Sequence, residues 1–233
     1  MIILTGDTHR EFDRIYDFCL EYDTTTEDIM IILGDAGINY YEDKSDLELK
    51  EWLSTFPITL FCIHGNHEQR PEEIDTYEEI EWHEGIVYAE PQFPNILFAK
   101  DGEIYDFEGK KAIAIGGAYS VDKYSRISGN SLWFDNEQPS DRIKDYVEEK
   151  LESVGWKVDI VLSHTAPISY EPREVFLPNL NQNIVDKSTE KWLDTIEKRL
   201  NYGQWFLGHY HTEKSIDRIR IIFEEYLELY EEW

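Results

Sequence analysis

Short apolar runs recur along the chain, and most end at a polar turn containing glycine: Ile2 to Leu4, Met30 to Leu33, Ile58 to Ile63, Ala112 to Ile115, Asp159 to Leu162 and Trp205 to Leu207. Several are continuous rather than alternating. That pattern belongs to strands covered on both faces, as in sheets flanked by helices. Segments with helical spacing lie between them. Phe12, Ile15, Tyr16 and Cys19 form one stripe, Leu47, Leu49, Trp52 and Leu53 a second, and Trp192, Ile196 and Leu200 a fourth. The third, Ile143, Tyr146, Val147 and Leu151, follows Pro139-Ser140-Asp141, a helix start. Strand and helix in alternation predict an α/β fold.

The middle of the chain breaks this rhythm. Ile86 to Tyr105 and Ile113 to Gly117 contain strand-like pieces, and Lys100-Asp101-Gly102 and Glu108-Gly109-Lys110 read as hairpin turns. A second, partly antiparallel sheet region is expected there. Residues 118–140 show no clear period and carry Tyr119, Tyr124, Trp133 and Phe134 among polar residues. A loop this long is usually functional or mobile.

Composition narrows the function classes. The 233 residues suffice for one large domain, and no linker-like stretch divides them, so a single domain over 1–233 is expected. Lys and Arg total 22 against 49 Asp and Glu, a net charge of −27. Such a surface repels polyanions, and no basic cluster offers the cations that grip nucleic acid. No apolar run approaches the length of a membrane span. The segment from Met1 to Thr5 reads as a strand rather than a signal peptide, and a cytoplasmic protein is expected. Cys19 and Cys62 sit in apolar segments and read as buried thiols. The acidic end from Glu224 to Trp233, with Tyr226, Leu227, Leu229 and Tyr230, reads as a docked amphipathic tail.

The chemistry lies just beyond the strands. Gly6-Asp7-Thr8-His9 follows the first, Gly34-Asp35 the second, Gly65-Asn66-His67-Glu68 the third, Ser163-His164 a later one, and Gly208-His209-Tyr210-His211 the last. Of seven histidines, five fall in these turns, leaving His64 to pack or cap and His83 to the surface. Ligands in α/β sheets gather at that strand edge. Carboxylate, amide oxygen and imidazole suit a borderline divalent metal with no thiolate required. One Asp can bridge two ions, and two ions roughly 3.5–4 Å apart can clamp a phosphoryl group and activate a water.

These five motifs, in this order, make the chain similar to the calcineurin-like metallophosphoesterase superfamily, whose signature runs G-D-x-H, G-D, G-N-H-[ED], a lone His after a strand, then G-H-x-H. The match spans Gly6 to His211. The resemblance implies two packed mixed β-sheets flanked by helices, a four-layer αββα sandwich. It implies two divalent transition metal ions, manganese first, with iron, zinc, nickel or cobalt compatible. Asp7, His9 and His211 would hold one ion, Asn66, His164 and His209 the other, and Asp35 would bridge them. His67 would face the substrate and protonate the leaving oxygen. The activity implied is hydrolysis of a small phosphorylated substrate, with phosphatase and phosphodiesterase both open. An inactive scaffold of the same fold and a nuclease are the alternatives.

Two departures stand out. Protein Ser/Thr phosphatases extend the second motif to G-D-x-x-D-R-G, whereas Ile38 and Asn39 occupy the Asp and Arg positions here. Arg10 follows the first motif where Gly is common. Arg10, Lys123 and Arg126 are candidate substrate-binding residues, the last two weighed against surface ion pairs. Tyr119, Trp133 and Phe134 read equally as a substrate wall or a satellite core. The sequence leaves the oligomeric state open.

Overall fold

The structure, a computed structural model, describes residues 1–129, 131–178 and 181–230. In chain order the strands are β1 (Ile2–Thr5), β2 (Ile29–Ile32), β3 (Thr59–Cys62), β4 (Glu78–Trp82), β5 (Gly85–Ala89), β6 (Ile96–Ala99), β7 (Ile104–Phe107), β8 (Lys110–Ile115), β9 (Ile160–Ser163), β10 (Gln204–Leu207), β11 (Lys214–Ile216), β12 (Ile219–Ile221) and β13 (Leu227–Glu228). The helices are α1 (Asp13–Tyr22), α2 (Lys44–Leu53), α3 (Lys123–Ser128), α4 (Asp141–Ser153) and α5 (Ser188–Glu197).

Two mixed sheets form, of seven strands in the order β13-β1-β2-β3-β6-β5-β4 and six in the order β11-β12-β10-β9-β8-β7. Alternate residues of each strand face opposite sides. Ile2, Leu4, Ile31, Phe61 and Leu97 therefore meet Phe107, Ala112, Leu162 and Phe206 between the sheets. Ile3, Met30, Ile32 and Leu60 turn outward onto Phe12, Ile15, Phe18 and Cys19 of the α1 region. Ile113, Val161 and Trp205 turn the other way onto Val147, Leu151, Leu193 and Ile196 of α4 and α5. The result is the αββα order of layers. Burying each such aliphatic side chain contributes roughly 1.5–3 kcal/mol.

Local chemistry sets several boundaries as the sequence predicts. The Ser140 hydroxyl accepts from the Ile143 N–H and caps α4. Glu108 and Gly109 join β7 to β8 with positive φ at both positions, as a two-residue hairpin requires. The tail docks: β13 pairs antiparallel with β1, Leu229 is buried, and the Tyr230 hydroxyl donates to the Phe107 carbonyl at 2.7 Å. Residues 231–233 of that tail lie outside the described residues.

Three expectations change. Lys100-Asp101-Gly102 is not a hairpin turn but a crossing from β6 in one sheet to β7 in the other. The Asp101 carboxylate pins it, accepting from Arg70 Nη1 at 2.7 Å and the Gly116 N–H at 2.6 Å. The hairpin lies earlier, where β4 pairs with β5 through His83-Glu84. On α2, Leu47 and Trp52 are exposed and Leu53 alone of the expected stripe is fully buried. Residues 118–140 carry the short helix α3, with Asn130 outside the described residues.

Candidate metal centre

Register brings the motifs level. Thr5 pairs with Ile32 and Ile32 with Cys62 in parallel, so β1, β2 and β3 end flush. In the second sheet Ile115 pairs with Ser163 and Leu162 with Phe206, so β9 and β10 end at the same edge. Asp7, Asp35 and Asn66 thus follow one flush edge, and His164 and His209 the other. The turns there are tight: His9, Arg10, Asp35, His209 and His211 all take positive φ, a conformation costly for non-glycine residues that collects at functional sites. Gly34, at φ +99°, leaves room for His164, whose Nδ1 would lie 2.1 Å from a Cβ there. A Cβ at Gly65 would lie 2.0 Å from Asp35 Oδ1.

Each side chain is held by groups behind it. Asp35 Oδ1 accepts from the backbone N–H groups of Asn66 at 2.7 Å and His67 at 2.8 Å. Asp7 Oδ1 accepts from the His209 N–H at 2.8 Å. His164 Nδ1 lies 2.8 Å from the Leu33 carbonyl, which can only accept. That nitrogen carries the proton, and Nε2 presents its lone pair to the centre. Asn66 turns Oδ1 to within 2.9 Å of His164 Nε2 while its Nδ2 donates to Ser120 Oγ at 3.0 Å. Glu68, fully buried, accepts from the N–H groups of Gly37 at 3.0 Å and Gly65 at 3.2 Å. Burial first, then the Asp35 charge, pushes the Glu68 carboxyl up to about 8.

The free atoms converge. Asp7 Oδ2 is buried and accepts no hydrogen bond. It lies 3.2 Å from His211 Nε2 and 3.7 Å from His9 Nε2, and those two nitrogens are 2.9 Å apart. Asp35 Oδ1 is 3.5 Å from His164 Nε2, and its Oδ2 is 3.9 Å from His9 Nε2 and 4.0 Å from His67 Nε2. Among the described residues, three groups of ligand atoms lie close enough to share a cation: Asp7, His9 and His211; Asp7, Asp35 and His164; and His9, Asp35 and His67. His209 enters none of these; its ring lies edge-on to His164, with centroids 4.9 Å apart. Desolvation, and next the neighbouring His164, push the His209 imidazole down to about 3, leaving it neutral. Burial would raise the Asp35 carboxyl, but His164, His67, His9 and His209 around it hold it well below the usual carboxylate range. A buried carboxylate oxygen with only imidazole nitrogens around it fits a divalent cation.

The expected substrate-binding cations differ in placement. Arg10 lines a cleft of about 190 Å³ with His9, Gly37, Tyr40, Tyr41 and His67. Its guanidinium is held by Asp46 and by the carbonyls of Gly37 at 2.7 Å and Ser45 at 3.1 Å. Lys123 lies over the Trp133 ring, 4.0 Å from its centroid. Arg126 reaches the centre, with Nη2 2.6 Å from His67 Nδ1. Tyr119 and Phe134 are buried, and Phe134 meets Tyr40 edge-on at 6.1 Å, behind the cleft wall. Ile38 and Asn39 are buried, Ile38 in the apolar cluster under β1 to β3 and Asn39 accepting from the Tyr77 hydroxyl at 3.1 Å. His64 is buried and His83 exposed.

Sequence reading missed Ser120, Tyr40 and Arg14. Arg14 donates to the Thr5 hydroxyl at 2.5 Å and to the carbonyls of Gly6 and Asp7 at 3.3 Å each, bracing the first motif from α1. Its spacing from Gly6 was visible; nothing marked Ser120 or Tyr40, whose roles depend on segments meeting in space.

The family model for calcineurin-like phosphoesterase matches residues 1–213. No curated protein matches the chain. Among solved structures, TT1561 of Thermus thermophilus is 11% identical with a TM-score of 0.50, over 95% of this chain and 87% of that one. The phosphopantetheinyl hydrolase PptH from Mycobacterium tuberculosis is 14% identical with a TM-score of 0.46, over 95% and 87%.

Proposed function

The chain belongs to the calcineurin-like phosphoesterase family, whose chemistry is metal-dependent hydrolysis of phosphate esters, and from that premise we propose that it is an active two-metal phosphoesterase of small phosphorylated substrates. Asp7, His9 and His211 would hold one ion, Asn66, His164 and His209 the other, and Asp35 would belong to both. Imidazole-rich sites favour transition metals over Mg²⁺, with manganese the first choice and iron, zinc, nickel or cobalt compatible. When bound, the pair of ions polarises the phosphoryl group and supplies an activated water. The observation that carries this reading is Asp7 Oδ2, buried with only the imidazole nitrogens of His211 and His9 near it, at 3.2 and 3.7 Å.

His67 serves as the proton donor. Its Nε2 faces the centre, 4.0 Å from Asp35 Oδ2; the ring acts as the acid in its imidazolium form, giving the Nε2 proton to the leaving oxygen and returning to the neutral imidazole whose Nδ1 lies 2.6 Å from Arg126 Nη2. Asp35 positions it by accepting the His67 N–H. Arg10, Lys123 and Arg126 supply positive charge on the substrate side of a strongly acidic chain. The cleft of about 190 Å³ suits a phosphoryl group and a compact leaving group, and the net charge of −27 argues against nucleic acid. No described helix is long and apolar enough to cross a membrane, and a cytoplasmic site of action is part of this proposal.

Elemental analysis after reconstitution, combined with hydrolysis of p-nitrophenyl phosphate, tests the reading. Close to two equivalents of metal and metal-dependent turnover are expected. Metal binding without turnover of any phosphate ester would make the chain a scaffold instead.

A further inference from the structure

The segment between β8 and α4 carries α3, a helix with no buried side chain. It reaches inward through Arg126, whose Nε and Nη1 are held and whose Nη2 meets His67. Nε donates to Asp122 Oδ2 at 2.7 Å, and Nη1 donates to the Tyr40 hydroxyl and the Leu132 carbonyl at 3.2 Å each. Nη2 lies 2.6 Å from His67 Nδ1 and 3.3 Å from His67 Nε2. Only 15% of the side chain remains exposed. Of the three candidate substrate-binding cations, Arg10 is paired with Asp46 and Lys123 lies over the Trp133 face, whereas the Arg126 guanidinium touches His67. Asn39, where protein phosphatases carry an arginine, is buried against Tyr77.

We infer that Arg126 binds the third non-bridging oxygen of the phosphoryl group and thereby selects phosphate monoesters over diesters. The inference rests on the two-metal reading above. A monoester phosphoryl group carries three non-bridging oxygens and a diester two. Two oxygens engage the two metal positions in either substrate. The monoester's third oxygen is charged and needs a donor; in a diester an esterified, uncharged oxygen takes its place. Nη2 stands beside His67, on the leaving-group side, and has a second N–H beyond the one turned to the imidazole. Asp122 and Tyr40 hold the fork before substrate arrives, so little ordering is left to be done on binding.

Two aryl esters with one leaving group, p-nitrophenyl phosphate and bis(p-nitrophenyl) phosphate, test this in metal-loaded wild type, Arg126→Ala and Arg126→Lys. Metal content is measured for each. A charge-assisted hydrogen bond predicts a loss of about 10–100-fold in kcat/KM on the monoester for Arg126→Ala. The diester changes little, metal content stays constant, and Arg126→Lys recovers only part. Calorimetric affinity for inorganic phosphate falls in parallel. Equal losses on both esters, or unchanged phosphate affinity, would overturn the inference. Should the wild type hydrolyse neither ester while Arg126→Ala still binds phosphate more weakly, the hydrolytic reading fails and the phosphate contact stands.

Discussion

Asp35, in the turn after β2, is 2% exposed, and two backbone N–H groups fix one of its oxygens. Arg126, on α3, borders the same centre from a helix that buries none of its own side chains. The turns of the candidate metal centre inherit their rigidity from strands whose ends are flush and whose neighbours are fully packed. Helix α3 buries no side chain; the Arg126 side chain ties it inward to Tyr40 and His67, and the Ser131 N–H donates to the Arg126 carbonyl at 2.9 Å. Fixed ligands suit ions, which tolerate little error in geometry; an element with few buried contacts can adjust to a substrate.

The largest effect that would sharpen this contrast comes from Asp35→Asn. If the residue serves both positions, elemental analysis should show both metals lost, and activity with them; normal metal content would break the bridging role. Next comes His67→Ala. The protein should keep both metals and its melting temperature while losing about 10²–10⁴-fold in rate. The loss should be smaller for nitrophenyl than for alkyl esters, because nitrophenolate leaves without a proton. His67 also lies in a potential ligand group with His9 and Asp35. Loss of metal in this variant would therefore move it from proton donor to ligand.

Glu68→Ala probes the rigidity of the turns directly. It would leave the buried N–H groups of Gly37 and Gly65 without their acceptor, at about 1–3 kcal/mol each, read as a lower denaturant midpoint. A stability equal to wild type would mean the turns do not depend on that side chain. The smallest effect belongs to α3. Ile127 is 49% exposed, and Ile127→Ser should shift stability by no more than about 0.5 kcal/mol. A larger loss would show that α3 docks through its apolar side chains, and the contrast between the two regions would fall.

Much of the centre was legible because each motif is local. A strand, a glycine and a ligand residue lie within a few positions, and parallel strands must end at one edge. Gly6-Asp7, Gly34-Asp35, Gly65-Asn66, His164 and Gly208-His209 could be read as a set without knowing which strands pair. The docked tail and the capped start of α4 were legible for the same reason. The crossing at Lys100-Asp101-Gly102 was not. A turn signal marks a reversal of chain direction but not the sheet that receives the next strand, and that choice is made by Asp101 gripping Arg70 and Gly116.

The sequence by itself determined the chemical character of the centre: carboxylates, one amide and imidazoles, no thiolate, on an acidic chain. Only the tertiary structure decided how those groups are oriented and what stands beside them. His164 presents Nε2 because the Leu33 carbonyl, 131 residues earlier, lies against Nδ1. Arg126 meets His67 across 59 residues, while Arg10, next to His9 in sequence, is held by Asp46 at the edge of the cleft. Hydrogen bonds and ion pairs act over a few ångströms of space, and no spacing along the chain encodes which distant groups come that close.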